Sequence, residues 1–138
     1  MPFAVCYYHV IWSTHGRQPL ITPPIEKILF ETIQRKSELL KSPIHAINSV
    51  KDHIHVAVSI APAVSVAEWV GSVKGASTHE VNVMLPNIPT RFQWQKSYGV
   101  LTFGRTHLPF VVGYIAGQKD HHRDKTTIDY LENSDDAF

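Results

Sequence analysis

An α+β domain, with a small antiparallel sheet and helices packed on one of its faces, is the fold class that three observations predict. The stretch His53-Ile54-His55-Val56-Ala57-Val58-Ser59-Ile60 puts Ile54, Val56, Val58 and Ile60 on one parity and His53, His55, Ala57 and Ser59 on the other, the period-2 pattern of a half-buried strand. Ser65-Val66-Ala67-Glu68 is a capping box, and Val66, Trp69, Val70, Val73, Ser77, Val81 and Met84 then follow one helical face. The segments run in the order β-α-β-β-α-β-α, the split βαβ or ferredoxin-like arrangement with one additional C-terminal helix. At 138 residues the chain is expected to form one domain, 1–138, around a single hydrophobic core.

Ala4 to Ser13 is rich in β-branched and aromatic residues, is unbroken by Gly or Pro, and reads as a long first strand; being apolar on both parities, it belongs in the middle of the sheet. Thr22 followed by Pro23 and Pro24 starts a helix in which Ile25, Ile28, Leu29, Ile33, Lys36 and Leu40 keep helical spacing until Pro43 stops it. Ile44 to Val50 pairs as a hairpin with the His53–Ile60 strand across Lys51-Asp52. After the capping-box helix, Leu85 to Lys96 is a long connection with Pro86 and Pro89, and Ser97 to Phe103 reads as the fourth strand. The third helix is expected from about Leu108 to His122, and Thr126 to Phe138 is acidic and weakly patterned. Both earlier helices share one face of the sheet, so the opposite face, to which His53 and His55 point, is expected to be free for a ligand or partner.

Composition narrows the function classes. A 43% hydrophobic and 18% charged content is that of an ordinary soluble protein, and the single Cys6 excludes an internal disulfide. The chain opens without a basic n-region and apolar h-region, so a cytoplasmic setting is expected. No apolar run approaches the roughly 20 residues needed to cross a bilayer. A net charge of +1 neither demands nor excludes nucleic acid.

Two groups of residues carry chemistry. His53 and His55, at i and i+2 on a strand, project the same way and can share a metal ion; nine histidines in the chain also make such a pair frequent by chance. On the third helix Tyr114, Gln118, His121 and His122 lie at i, i+4, i+7 and i+8, so a phenol, an amide and an imidazole share a face. The plainer alternative extends the Phe110/Val111 core stripe through Tyr114 and leaves Gln118 and the histidines solvated. Gly113 and Gly117, each costing roughly 1 kcal/mol relative to Ala in a helix, suggest close backbone approach or a helix that moves.

In combination, Tyr8-His9-Val10-Ile11-Trp12-Ser13-Thr14, Asp52-His53-Ile54-His55-Val56, Val73-Lys74-Gly75-Ala76-Ser77, Trp94-Gln95-Lys96-Ser97-Tyr98-Gly99 and Tyr114-Ile115-Ala116-Gly117-Gln118-Lys119-Asp120-His121-His122 resemble the single-tyrosine HUH transposases, the insertion sequence 200-like and REP-associated tyrosine transposases. The resemblance runs from about residue 7 to residue 125. It implies a homodimeric enzyme with shared active sites that cuts and rejoins single-stranded DNA at hairpin-marked ends with magnesium or manganese. It maps the metal ligands to His53, His55 and Gln118 and the nucleophile to Tyr114, which would form a 5′-phosphotyrosine. Gly117 stands where the family often has Asn, and the tail is short and acidic where relatives often continue.

Three neutral ligands would leave open positions for a scissile phosphate, and a hard ion prefers more oxygen than two imidazoles and an amide provide, so weak metal binding is expected until DNA arrives. His121 and His122 are candidate proton acceptors for the phenol. Arg17, Lys74, Arg105, Lys119 and Arg123 are candidate phosphate contacts, with Lys74 foremost, and Trp94 or Tyr98 candidate stacking surfaces. Two rivals stand beside this reading: a non-catalytic single-stranded nucleic-acid-binding module on the same fold, and a small-molecule metalloenzyme built on His53, His55 and another histidine such as His107.

Overall fold

In the computed structural model, which describes residues 4–134, four strands form one antiparallel sheet in the order β2-β3-β1-β4. The strands are β1 (Tyr7–Ser13), β2 (Ile44–Ser49), β3 (His53–Val58) and β4 (Gly99–Phe103). The apolar β1 is central as expected, paired with β3 on one side and β4 on the other. β2 and β3 form the expected hairpin, closed by the Val50 N–H on the His53 carbonyl at 3.1 Å.

One face of the sheet carries the main core. Val10, Trp12, Ile54, Val56 and Val58 meet α1 (Pro23–Leu39) and α2 (Val66–Met84) there. α2 begins at Ser65, whose side chain accepts the Glu68 N–H at 3.0 Å, so the capping box forms as its residue types require. α1 ends four residues before Pro43 in a Schellman-type turn: Lys41 takes the left-handed conformation (φ 55°) and the Ser42 N–H returns to the Ser37 carbonyl at 2.9 Å. Ser37 also receives the Trp69 indole N–H at 2.9 Å, which joins the two helices through a buried polar contact.

The opposite face is not free. α3 (Leu108–Ala116) lies across it, packing Val111 and Ile115 on Ala57, with Ala46 and Phe103 beside them. The expected continuous helix from Leu108 to His122 is also interrupted. Gly117 (φ −91°, ψ 12°) ends α3, and α4 (Gln118–Asp124) starts anew. The weakly patterned tail contains a further turn of helix, α5 (Asp129–Glu132), with Leu131 buried. Asn133 passes directly over Gly99: a Cβ on Gly99 would stand 1.9 Å from the Asn133 carbonyl oxygen. Ser134 Oγ meets Ser13 Oγ at 2.8 Å, so the tail is seated across the ends of β4 and β1.

Candidate active site

Register places the histidines. Ser13 pairs with His53, Ile11 with His55 and His9 with Ala57, so His9, His53 and His55 all project to the α3 side, while Val10, Trp12, Ile54 and Val56 face the main core. All three rings are buried. α3 carries Tyr114 over this surface, with ring centroids 6.1 Å from His55 and 6.4 Å from His9. The break at Gly117 then turns α4 so that Gln118 is fully buried and His122 lies against His53 at 4.8 Å between centroids.

These groups converge on Glu132, which sequence reasoning missed. His53 Nε2 donates to its Oε1 at 3.0 Å, and His55 Nε2 and His122 Nε2 do so at 3.1 Å. The Tyr114 hydroxyl donates to Oε2, as does the Gln118 amide at 3.2 Å. Five donors on one carboxylate exceed its roughly four lone-pair sites, so the centre is rich in protons and short of negative charge. Although burial opposes ionisation, hydrogen bonds from His53 and His55 hold Glu132 well below the ordinary carboxylate range. For His53, burial works against the charged form, but Asp52 and Glu132 outweigh it and raise its pKa. Tyr114 is pushed up to about 12, by burial first and then by the Glu132 carboxylate.

The far nitrogens of both strand histidines are also engaged. His53 Nδ1 donates to Asp52 Oδ1 at 2.7 Å, and His55 Nδ1 lies 2.8 Å from His9 Nε2. His9 is a second residue that sequence reasoning passed over. Burial and the neighbouring His55 lower its pKa to about 3, so it is neutral, and its Nδ1 is buried without a hydrogen-bond partner. The fold, not the sequence, assigns its side: His9, Ile11 and Ser13 alternate with the core-facing Val10 and Trp12. Of the expected proton acceptors, neither is bonded to the phenol. His121 stacks on the Tyr114 ring at 4.7 Å with its Nδ1 on Thr126, and His122 is occupied by Gln118 and Glu132.

Comparison with known proteins decides the family. The model of the family "Transposase IS200 like" matches residues 3–118. The chain belongs to the IS200-like transposase family. The curated ISDra2 transposase TnpA of Deinococcus radiodurans is 23% identical over 117 residues, covering 82% of this chain and 84% of that protein. Among solved structures, a protein from Deinococcus radiodurans described as a transposase superposes with a TM-score of 0.69 at 21% identity, over 86% of this chain and 95% of its own. A REP-associated tyrosine transposase bound to a REP hairpin superposes with a TM-score of 0.66 at 13% identity, over 88% of this chain and 72% of its own. Both structures bear out the α+β fold.

The donor set of this IS200-like transposase fits a divalent cation. His53, His55, His122 and Glu132 offer ligand atoms that all lie within 4.8 Å of one another. Asp52 and His9 fix the ring orientation of the two strand histidines from behind, leaving each Nε2 aimed at the cluster. His107 lies outside the cluster, in a 3-10 turn beyond β4.

The basic residues are dispersed. Arg17 reaches the rim, donating to Ser134 Oγ at 3.1 Å, and Arg123 lines the cleft beside His122 and Asp52 while pairing with Asp120 and Asp124. Lys119 is committed to Glu26, Asn48 and the Ser49 carbonyl. Lys74, half-buried with its pKa lowered by burial, donates to the carbonyls of Gln95 and Ser97 and so holds the long connection against α2. Arg105 follows the Phe103 end of β4, which pairs with Tyr7, at the opposite end of the sheet from His53. Trp94 is a core residue and no stacking surface: its ring sits edge-on to Trp12 and Phe92, and its N–H goes to Ser77 Oγ at 3.0 Å. Among the described residues no helix is long and apolar enough to cross a membrane.

Proposed function

We propose that this transposase cuts and rejoins single-stranded DNA at hairpin-marked ends through Tyr114, acting in the cytoplasm with magnesium or manganese. The observation that carries the reading is the meeting of Tyr114, Gln118, His53 and His55 on one carboxylate in a chain of the IS200-like family. That a related fold is bound to a REP hairpin supports the substrate class.

Tyr114 Oη attacks the scissile phosphorus, forming a 5′-phosphotyrosine while the P–O3′ bond breaks and the 3′-oxygen leaves as a hydroxyl. The phenol proton ends on the departing 3′-oxygen, so the step balances; Glu132, the hydrogen-bond acceptor of the phenol, orients Oη, and the Ile128 N–H, 3.0 Å from Oη, steadies it. The 3′-hydroxyl of another end reverses the step, one phosphodiester replacing another, so no nucleotide hydrolysis is needed. His53, His55 and Gln118 would hold the cation, which supplies Lewis-acid polarisation of the phosphate when bound. Arg17 and Arg123 are the basic residues best placed to meet DNA phosphates at the rim. The family resemblance adds a homodimer.

Incubation with single-stranded oligonucleotides covering the hairpins beside the gene, with manganese, should give a covalent protein–DNA band on a denaturing gel. Tyr114→Phe should give none. Specific hairpin binding with no adduct on any flanking strand would replace the enzyme by a binding module.

A further inference from the structure

We propose that Glu132 is itself a ligand of the divalent cation, joining His53 and His55 on the ion and tying it to the hydroxyl of Tyr114. The inference rests on the reading of this cluster as a cation site and deepens it: the resemblance carries two imidazoles and an amide, and the geometry adds an anionic oxygen. Glu132 Oε1 stands 3.0 Å from His53 Nε2 and 3.1 Å from His55 Nε2. Adjacent ligands of an octahedral ion with bonds of about 2.0–2.1 Å are roughly 3.0 Å apart, so these atoms are already spaced as neighbours on one ion.

The carboxylate is also held in place. Leu131 is buried, Asn133 lies on Gly99, and Ser134 is bonded to Ser13 and Arg17, so α5 is docked on both sides of Glu132. Two imidazoles and an amide are a poor set for a hard ion, and one carboxylate oxygen corrects both its charge and its softness. The surplus of donors around Glu132 has the same origin: imidazole protons occupy the space that a cation fills once those nitrogens present lone pairs. A carboxylate that merely filled the cluster would behave oppositely, since removing it would leave cation affinity unchanged or tighten it.

Manganese alone, titrated by calorimetry into the unmutated protein without DNA, should bind. Glu132→Gln, nearly isosteric, should weaken that binding by at least roughly tenfold while the metal-free variant remains folded by far-ultraviolet circular dichroism. His53→Ala and His55→Ala should abolish it. Equal or tighter binding by Glu132→Gln, with binding lost in both histidine variants, overturns the Glu132 ligand and leaves the cation site standing. No manganese binding by the unmutated protein removes the cation reading and this inference with it. In the unmutated protein, manganese should also shift a carboxylate stretch in the infrared difference spectrum, a readout that needs no variant to fold; a spectrum without such a shift counts against the ligand.

Discussion

Tyr114 is held protonated in this arrangement. With its pKa pushed up to about 12, by burial first and then by Glu132, only about one phenol in 10⁵ is ionised at pH 7, and the carboxylate that accepts its hydrogen bond helps to keep the proton on the oxygen. His9 shows the same economy from below the cluster. Its folded pKa of about 3 lies under the ordinary 6.5, so below pH 6.5 the unfolded chain binds a proton that the folded chain refuses. Stability is therefore full above 6.5 and is lost as pH falls from there towards 3. His9→Gln should flatten that part of the decline in melting temperature between pH 7 and 4 and should weaken manganese binding through the loosened His55 ring; an unchanged slope would assign the decline to another group. At this scale the sequence was legible where residue type and period coincided, as at His53, His55, Tyr114 and Gln118. It was not legible at His9, where a strand apolar on both parities reads as core throughout and hides which parity faces the site.

Gly99 decides whether α5 can dock. A Cβ there would strike the Asn133 carbonyl at 1.9 Å, and backbone cannot swing away as a side chain does. Gly99→Ala should displace the tail, lower the unfolding free energy by about 1–3 kcal/mol and weaken manganese binding together with Glu132→Gln. Gly113, inside α3 with nothing within 4 Å of an added Cβ, should behave oppositely: Gly113→Ala should raise stability by up to about 1 kcal/mol in denaturant titrations. The long helices were readable because caps and 3.6-residue spacing are local signals, and Ser65, Pro23 and the stripe of Ile25, Ile28, Leu29 and Ile33 all serve as written. α5 has four residues, too few for a period to declare itself, and its position comes from contacts with β1 and β4 far back in the chain. The break at Gly117 was half legible, in that a second glycine one turn after Gly113 signalled a weakened helix.

Strand order followed from the β-α-β-β-α-β sequence because the hairpin and the central β1 leave few topologies open. The covering of the second face did not follow, since nothing local says that α3 will return over the sheet. As folded here, one chain supplies His53, His55, Tyr114, Gln118 and Glu132 to the same cluster. A mixture of Tyr114→Phe with His55→Ala protein should accordingly form no covalent DNA adduct; adduct formation by the mixture would show that copies exchange their tyrosine helices. The long span of this cluster has a consequence for how the protein is made. Glu132 follows His53 by 79 residues, which at about 5–20 residues per second takes a ribosome roughly 4–16 s to add. Through that interval the two imidazoles of β3 stand without Glu132, a pair that zinc or copper binds better than manganese. On the proposed ligand set, the centre's preference for a hard ion is acquired only when the tail arrives, so the ions present during synthesis compete on different terms from those present afterwards.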